Sequence, residues 1–191
     1  SYHSLTYDNT RNKTVLFGGY QGSAYLNDTW ENDGNSWLNR NAIGPIARIE
    51  SGFTFVPTLH QSLLFGGLTT QGAKNDTWTW DGLSWLYLTD TGPVARRSSM
   101  TTYDSQSDGV LLFGGTNDTG TIYGDTWLFQ VKDSDKDGSG DCIDQCQTDP
   151  FKVLPGRCGC GVNENSLSCS FNILSTTPIK PSLTMKNKNV R

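Results

Sequence analysis

Cysteine is absent from the first 141 residues of the chain, and histidine occurs only as His3 and His60. Both histidines fall within strand or loop patterns with no nucleophile beside them, so neither reads as a catalyst. Basic charge is also scarce. The net charge of −4 argues against nucleic acid as a partner, because binding phosphates needs a basic surface. No apolar run approaches the roughly 18 residues of a membrane span, so none is expected. The sequence has neither an initiator methionine nor a signal-like start. Ser1 therefore reads as a cut point, with targeting information expected outside it.

Glycine and aromatics are plentiful instead: 21 Gly, 6 Trp, 7 Tyr and 8 Phe. Short strands joined by tight turns have this composition. The residues also recur in register. Phe17-Gly18-Gly19 returns 48 residues later as Phe65-Gly66-Gly67 and then as Phe113-Gly114-Gly115. Asn27-Asp28-Thr29-Trp30 returns as Asn75-Asp76-Thr77-Trp78 and, one residue late, as Gly124-Asp125-Thr126-Trp127. Ser36-Trp37-Leu38 matches Ser84-Trp85-Leu86, and Gly44-Pro45-Ile46-Ala47-Arg48 matches Gly92-Pro93-Val94-Ala95-Arg96. Such a period signals supersecondary units stacked on one another.

Each copy reads as four short strands. In the second they are Gly52–Val56, Ser62–Phe65 stopped by the glycine pair, Asp76–Trp80 and Ser84–Leu88. Asp81-Gly82, like Asp33-Gly34, supplies the positive φ values of a two-residue hairpin. The second strand is apolar on both faces in every copy, as expected of a sheet stacked between neighbours.

A four-stranded unit of about 50 residues with a double glycine and a later tryptophan resembles the kelch repeat of β-propellers. The resemblance covers roughly residues 1–131 and implies an all-β fold of propeller blades. It implies that Gly18, Gly19, Gly66, Gly67, Gly114 and Gly115 allow close backbone approach near the axis, while Trp30, Trp78 and Trp127 fill the wedges between blades. Asp28, Asp76 and Asp125 recur once per copy and are expected to cap turns or strand starts. Arg48 and Arg96 are expected to tie adjacent blades. The ring is incomplete: residues 1–7 align with 97–103, so the first blade is entered part-way, and the third stops near Val131 without a fourth strand. An upstream strand is the expected source of the missing one.

After Val131 the character changes. Asp133, Asp135, Asp137, Asp141 and Asp144 occupy positions 1, 3, 5, 9 and 12 of a twelve-residue loop with Gly138 at position 6, and the carbonyl of Ser139 would be the position-7 ligand. This is calcium-loop spacing: alternate carboxylates turn inward and glycine permits the bend. Position 12 is aspartate rather than the longer glutamate, and no helix-forming sequence flanks the loop, which argues against a true EF-hand. Cys142, Cys146, Cys158, Cys160 and Cys169 lie within 28 residues, which points to disulfides and an oxidising compartment. A solvated acidic linker and a zinc site are the rival readings, although the cysteine spacings differ from the usual zinc knuckle. Pairing is not deducible, and one cysteine is left over. The run from Asp133, continued by Gln145-Cys146 and Thr148-Asp149-Pro150, resembles a thrombospondin type 3 repeat over residues 133–162. That resemblance implies an extracellular, calcium-filled, disulfide-tied connector. The expected organisation is therefore blades in 1–131, the acidic cysteine-rich module in 132–170, and a flexible basic tail in 171–191.

For function, the segments that differ between copies carry the information. They run from each glycine pair to the next Asp-Thr-Trp and contain Tyr20, Gln21, Tyr25, Gln71, Lys74, Asn117 and Tyr123, groups suited to glycans or protein surfaces. In kelch-like propellers these loops project from one face. The expected function is an extracellular or cell-surface binding module for a protein or glycan, with calcium as its cofactor and no catalytic residues in this chain. The alternatives are part of a carbohydrate-active propeller enzyme (epimerase, lyase or oxidase type) with its catalytic residues elsewhere, and a structural adhesin or stalk. A copper oxidase of the galactose oxidase type needs a cysteine-crosslinked tyrosine, which the cysteine-free stretch does not offer.

Overall fold

A computed structural model describes residues 1–131, Cys146, Thr148 and 183–188. The chain is all-β. Among the described residues its only helical piece is a 3-10 turn, Pro57–Leu59, and no helix there is long and apolar enough to cross a membrane. Among the described residues, twelve strands form three four-stranded antiparallel sheets. Sheet 1 orders β1 (Ser4–Asp8), β2 (Lys13–Gln21), β3 (Ala24–Asn32) and β4 (Trp37–Asn39). Sheet 2 repeats the meander with β5 (Gly52–Val56), β6 (Gln61–Thr69), β7 (Gly72–Trp80) and β8 (Trp85–Thr89). Sheet 3 has β9 (Met100–Asp104), β10 (Gly109–Phe113), β11 (Thr126–Val131) and β12 (Leu183–Lys188). The first strands β1, β5 and β9 lie side by side.

Two expectations change here. The glycine pair does not stop the second strand in sheets 1 and 2. Beyond it β2 and β6 continue to Gln21 and Thr69, and the pairing register shifts between Phe17 and Gly19 and between Phe65 and Gly67. The shift is a β-bulge. Gly66 has φ +60°, and a Cβ there would lie 2.6 Å from the Arg96 carbonyl oxygen, so both the conformation and the space require glycine. Sheet 3 obtains its fourth strand from downstream, not upstream. β12, from within the expected flexible tail, pairs with the edge that β11 would otherwise present unsatisfied.

The core lies between the sheets. Val15 and Phe17 of sheet 1 pack against Phe53, Leu64, Trp80 and Trp85 of sheet 2. The Phe17 and Trp85 rings meet edge to face at 5.0 Å. Both buried indoles are satisfied across the interface: Trp80 Nε1 donates to Glu31 Oε1 at 2.9 Å, and Trp85 Nε1 to Thr29 Oγ1 at 2.8 Å. Burial on both faces, expected of every second strand, holds only for β6, where Leu63, Leu64 and Phe65 are all buried. Leu16 and Leu111 stay partly accessible because sheets 1 and 3 flank a single middle sheet. The chain divides compactly into Ser1–Gln130 with Met185–Arg191, and Val131–Thr184.

Candidate functional site: arginine clamps and hairpin tips

Each linker between sheets carries an arginine whose backbone belongs to one sheet and whose side chain reaches the next. Arg48 N donates to the Leu26 carbonyl, and the Arg48 carbonyl accepts from Gly19 N. Its guanidinium crosses to sheet 2, where Nη1 donates to Asp76 Oδ1 at 2.6 Å and Nη2 to Asp76 Oδ2 at 2.8 Å. Nη1 also donates to the Gly66 carbonyl at 2.9 Å, and Trp78 Nε1 donates to Asp76 Oδ2 at 2.8 Å. Arg96 repeats the arrangement on sheet 3 with Asp125 (2.6 and 3.0 Å), the Gly114 carbonyl and Trp127. Both arginines are essentially fully buried. Two of the three repeated aspartates, Asp76 and Asp125, are thus the receptors of a bidentate, charge-assisted clamp, not turn caps. Sequence alone does not show this, since Arg48 and Asp76 stand 28 residues apart.

Burial would raise the Asp76 carboxyl, but the hydrogen bonds and charge of Arg48, with Trp78, outweigh it and hold its pKa below the ordinary carboxylate value. At Asp125 the Arg96 hydrogen bonds are the largest influence and act in the same direction. A folded-state pKa below the unfolded value means that this stability is fully present above the unfolded pKa of about 3.9 and is lost as pH falls through the folded one. Urea midpoints should therefore drop from about pH 5 to about pH 3. The drop should be smaller in a variant carrying Asp76→Asn and Asp125→Asn.

The second feature is the set of hairpin tips beyond the glycine pairs. In sheet 1, Tyr20 and Tyr25 are directly paired across β2 and β3, with rings edge to face at 5.8 Å. Gln21 is exposed beside them. In sheet 2, Gln71 is exposed at the tip and accepts from Lys74 Nζ at 3.3 Å. The β10–β11 loop is longer and touches the second tip, where Asp118 Oδ2 accepts from Ala73 N at 2.8 Å. Asn117 and Tyr123 serve their own surroundings. Asn117 Oδ1 accepts from the backbone N–H of Thr119 and Thr121, shaping the loop. The Tyr123 ring lies 4.3 Å from the Arg96 guanidinium carbon, joining the clamp by a cation–π contact.

Sequence reasoning missed Glu50, whose Oε2 accepts from Arg97 Nη1 at 3.0 Å and from the Ser98 hydroxyl. Tyr2, Glu50 and Ser98 share one left-handed conformation, with φ of 58°, 57° and 56°. Glu50 N donates to the Tyr2 carbonyl and Ser98 N to the Glu50 carbonyl, linking the entries of the three first strands. Their side chains differ in type, so the repeat leaves no residue signature there.

The calcium candidates Asp133, Asp135, Asp137, Ser139, Asp141 and Asp144 lie outside the described residues, as do Cys142, Cys158, Cys160 and Cys169. Cys146 is buried and disulfide-bonded. Among the described residues, no three His, Cys, Asp or Glu side chains converge as a metal site. His3 is exposed at the mouth of a cavity on sheet 1, and His60 is exposed after the 3-10 turn.

No family model and no curated protein matches the chain. Solved structures do match its fold, 109 chains in all. One is the structure of YjhT, with a TM-score of 0.57 at 17% identity, covering 70% of this chain and 43% of that chain. The present chain thus spans less than half of that neighbour's length, and the likeness is one of fold.

Proposed function

We propose that the chain is a kelch-repeat binding module acting outside the cell or at its surface. Its hairpin-tip face recognises a protein or glycan, and residues 132–170 form a calcium-binding connector. The recognition reading rests on what recurs and what varies. The repeated Arg48, Asp76, Arg96 and Asp125 are engaged with one another between sheets. Tyr20, Gln21, Tyr25, Gln71 and Lys74 differ from copy to copy and stand at least partly accessible at one end of their sheets. An edge-to-face tyrosine pair offers flat apolar surface beside amide and ammonium groups, a combination suited to a sugar ring or a polar protein patch.

Fluorescently labelled full-length chain, applied with millimolar calcium to arrays of glycans and extracellular proteins, should retain a discrete set of ligands. Retention of none would overturn the recognition reading. Chemical conversion of an arrayed glycan would favour the carbohydrate-active enzyme instead. Calorimetric titration of the full-length chain with calcium should give a Kd of about 10⁻⁴–10⁻³ M, the range of extracellular modules. Replacing Asp135 and Asp137 by alanine should abolish it, and absence of heat with the unaltered chain would reject the connector.

A further inference from the structure

Asp28 occupies in sheet 1 the place of Asp76 and Asp125, and it keeps their bond to tryptophan, accepting from Trp30 Nε1 at 2.7 Å on Oδ2. Its Oδ1, however, is buried and has no hydrogen-bond partner among the described residues. The corresponding oxygens of Asp76 and Asp125 each accept from a linker arginine at 2.6 Å. A buried carboxylate oxygen without a donor is costly, so the position calls for a cation.

The surface around Asp28 has the same relation to its repeat. In sheet 2, Phe53, Leu64 and Trp85 are covered by sheet 1 and its linker and are 8%, 0% and 8% exposed. Their counterparts 48 residues earlier are Leu5, Leu16 and Trp37, and Leu5 and Trp37 are 50% and 46% exposed. A cavity of about 460 Å³ opens on this face, bordered by Leu16, Gly18, Asp28, Trp30 and Trp37 among others. Gly44 of the first linker lies so close against the Trp85 ring that a Cβ would come within 2.4 Å of it, showing how a linker glycine covers this tryptophan position.

The main chain is already in the required register. Ser1 and Tyr20 exchange two hydrogen bonds, at 3.0 and 2.7 Å, as Ile49 does with Leu68 and Arg97 with Thr116. In the latter two pairs, the residue immediately before is the clamp arginine.

We propose that this face of sheet 1 is a docking surface for another four-stranded sheet of the same repeat. The arginine of its Gly-Pro-x-Ala-Arg linker, at the position preceding Ser1, would fill the cavity. It would pair bidentately with Asp28 and donate to the Gly18 carbonyl, while the linker glycine covers Trp37. Arginine is specified over lysine because the receptor presents two carboxylate oxygens and a carbonyl to a planar fork. The surface lies on a sheet face, and its cavity is also bordered by Tyr20 and Gln21 of the first hairpin tip, so a docked sheet would adjoin that tip.

The test is thermal unfolding of the full-length chain and its variants. Without a partner, Asp28→Asn should leave Tm unchanged or higher, because it replaces a carboxylate one of whose oxygens is buried without a donor, whereas Asp76→Asn should lower it. Joining the chain's own linker sequence, residues 42–48, in front of Ser1 should raise Tm by roughly 4 °C or more. Alanine in place of the added arginine should remove at least half of that gain, and Asp28→Asn should cancel the arginine-specific part. The proposal is overturned if the arginine and alanine extensions stabilise equally, if neither stabilises, or if Asp28→Asn in the unextended chain costs as much as Asp76→Asn.

Discussion

Replacing Arg96 by alanine is expected to cost about 3 kcal/mol of unfolding free energy, the low end of the range for breaking a buried ion pair, because Arg96 is fully buried while Asp125 is 29% exposed. Tm should fall by roughly 10 °C or more. The side chain is fully buried, donates to the Val94 and Gly114 carbonyls and to Asp125, and stacks on Tyr123, so its removal takes a donor from one carboxylate and two carbonyls together. Arg96→Lys should recover only a minor part, since an ammonium cannot engage both Asp125 oxygens and the Gly114 carbonyl in one plane. Changing Arg96 to methionine and Asp125 to leucine together should be milder than Arg96→Ala, because no charge is then left unpaired. Urea unfolding of the four proteins checks the order. A loss below about 1 kcal/mol for Arg96→Ala, as for an exposed pair, would contradict the clamp.

The second large effect is expected at Gly66. Alanine there meets both a left-handed φ and two backbone oxygens, Arg96 O at 2.6 Å and Lys74 O at 2.9 Å. Neither oxygen can yield cheaply, because the Arg96 carbonyl accepts from Gly67 N and the Lys74 carbonyl from Arg96 N. The conformational penalty alone is about 1–2 kcal/mol, and displacing the linker should bring the loss above about 2 kcal/mol. Gly22→Ala is the control: its φ is +65°, but nothing lies within 4 Å of the added Cβ. Its loss should stay within the conformational penalty. Equal losses at the two positions would mean that the close approach at Gly66 contributes nothing.

Much of this architecture is legible in the sequence, for physical reasons. Period and apolar alternation are local, and they place β5 at Gly52–Val56 as observed. Turn chemistry locates the turns at Asp33-Gly34 and Asp81-Gly82 but not their length: each spans four residues, between paired Asn32 and Trp37 and between paired Trp80 and Trp85, and only the glycines have positive φ. The glycine pair misled because apolar character ends there while hydrogen-bonded pairing continues beyond the bulge to Thr69. β12 was invisible because Leu183–Lys188 shares no repeat signature with β4 or β8 and enters sheet 3 from far downstream. The clamp was half legible. Arg48 and Asp76 recur visibly, but only the fold reveals that one is the other's partner. At the tips, residue type could not separate Tyr20 and Tyr25, which pair at an accessible edge, from Tyr123, which packs on Arg96. Nor could it separate Gln71 from Asn117, whose carbonyl is taken by its own loop.

The central claim is that repeated polar residues hold the sheets together while the non-repeated tips recognise a ligand. The most direct test is calorimetric titration of an array-identified ligand into the chain and into a Tyr20→Ala/Tyr25→Ala variant of matched Tm. The account predicts at least about a tenfold weaker Kd in the variant, the loss expected when central aromatic contacts are truncated. Unchanged affinity in a folded variant would contradict it.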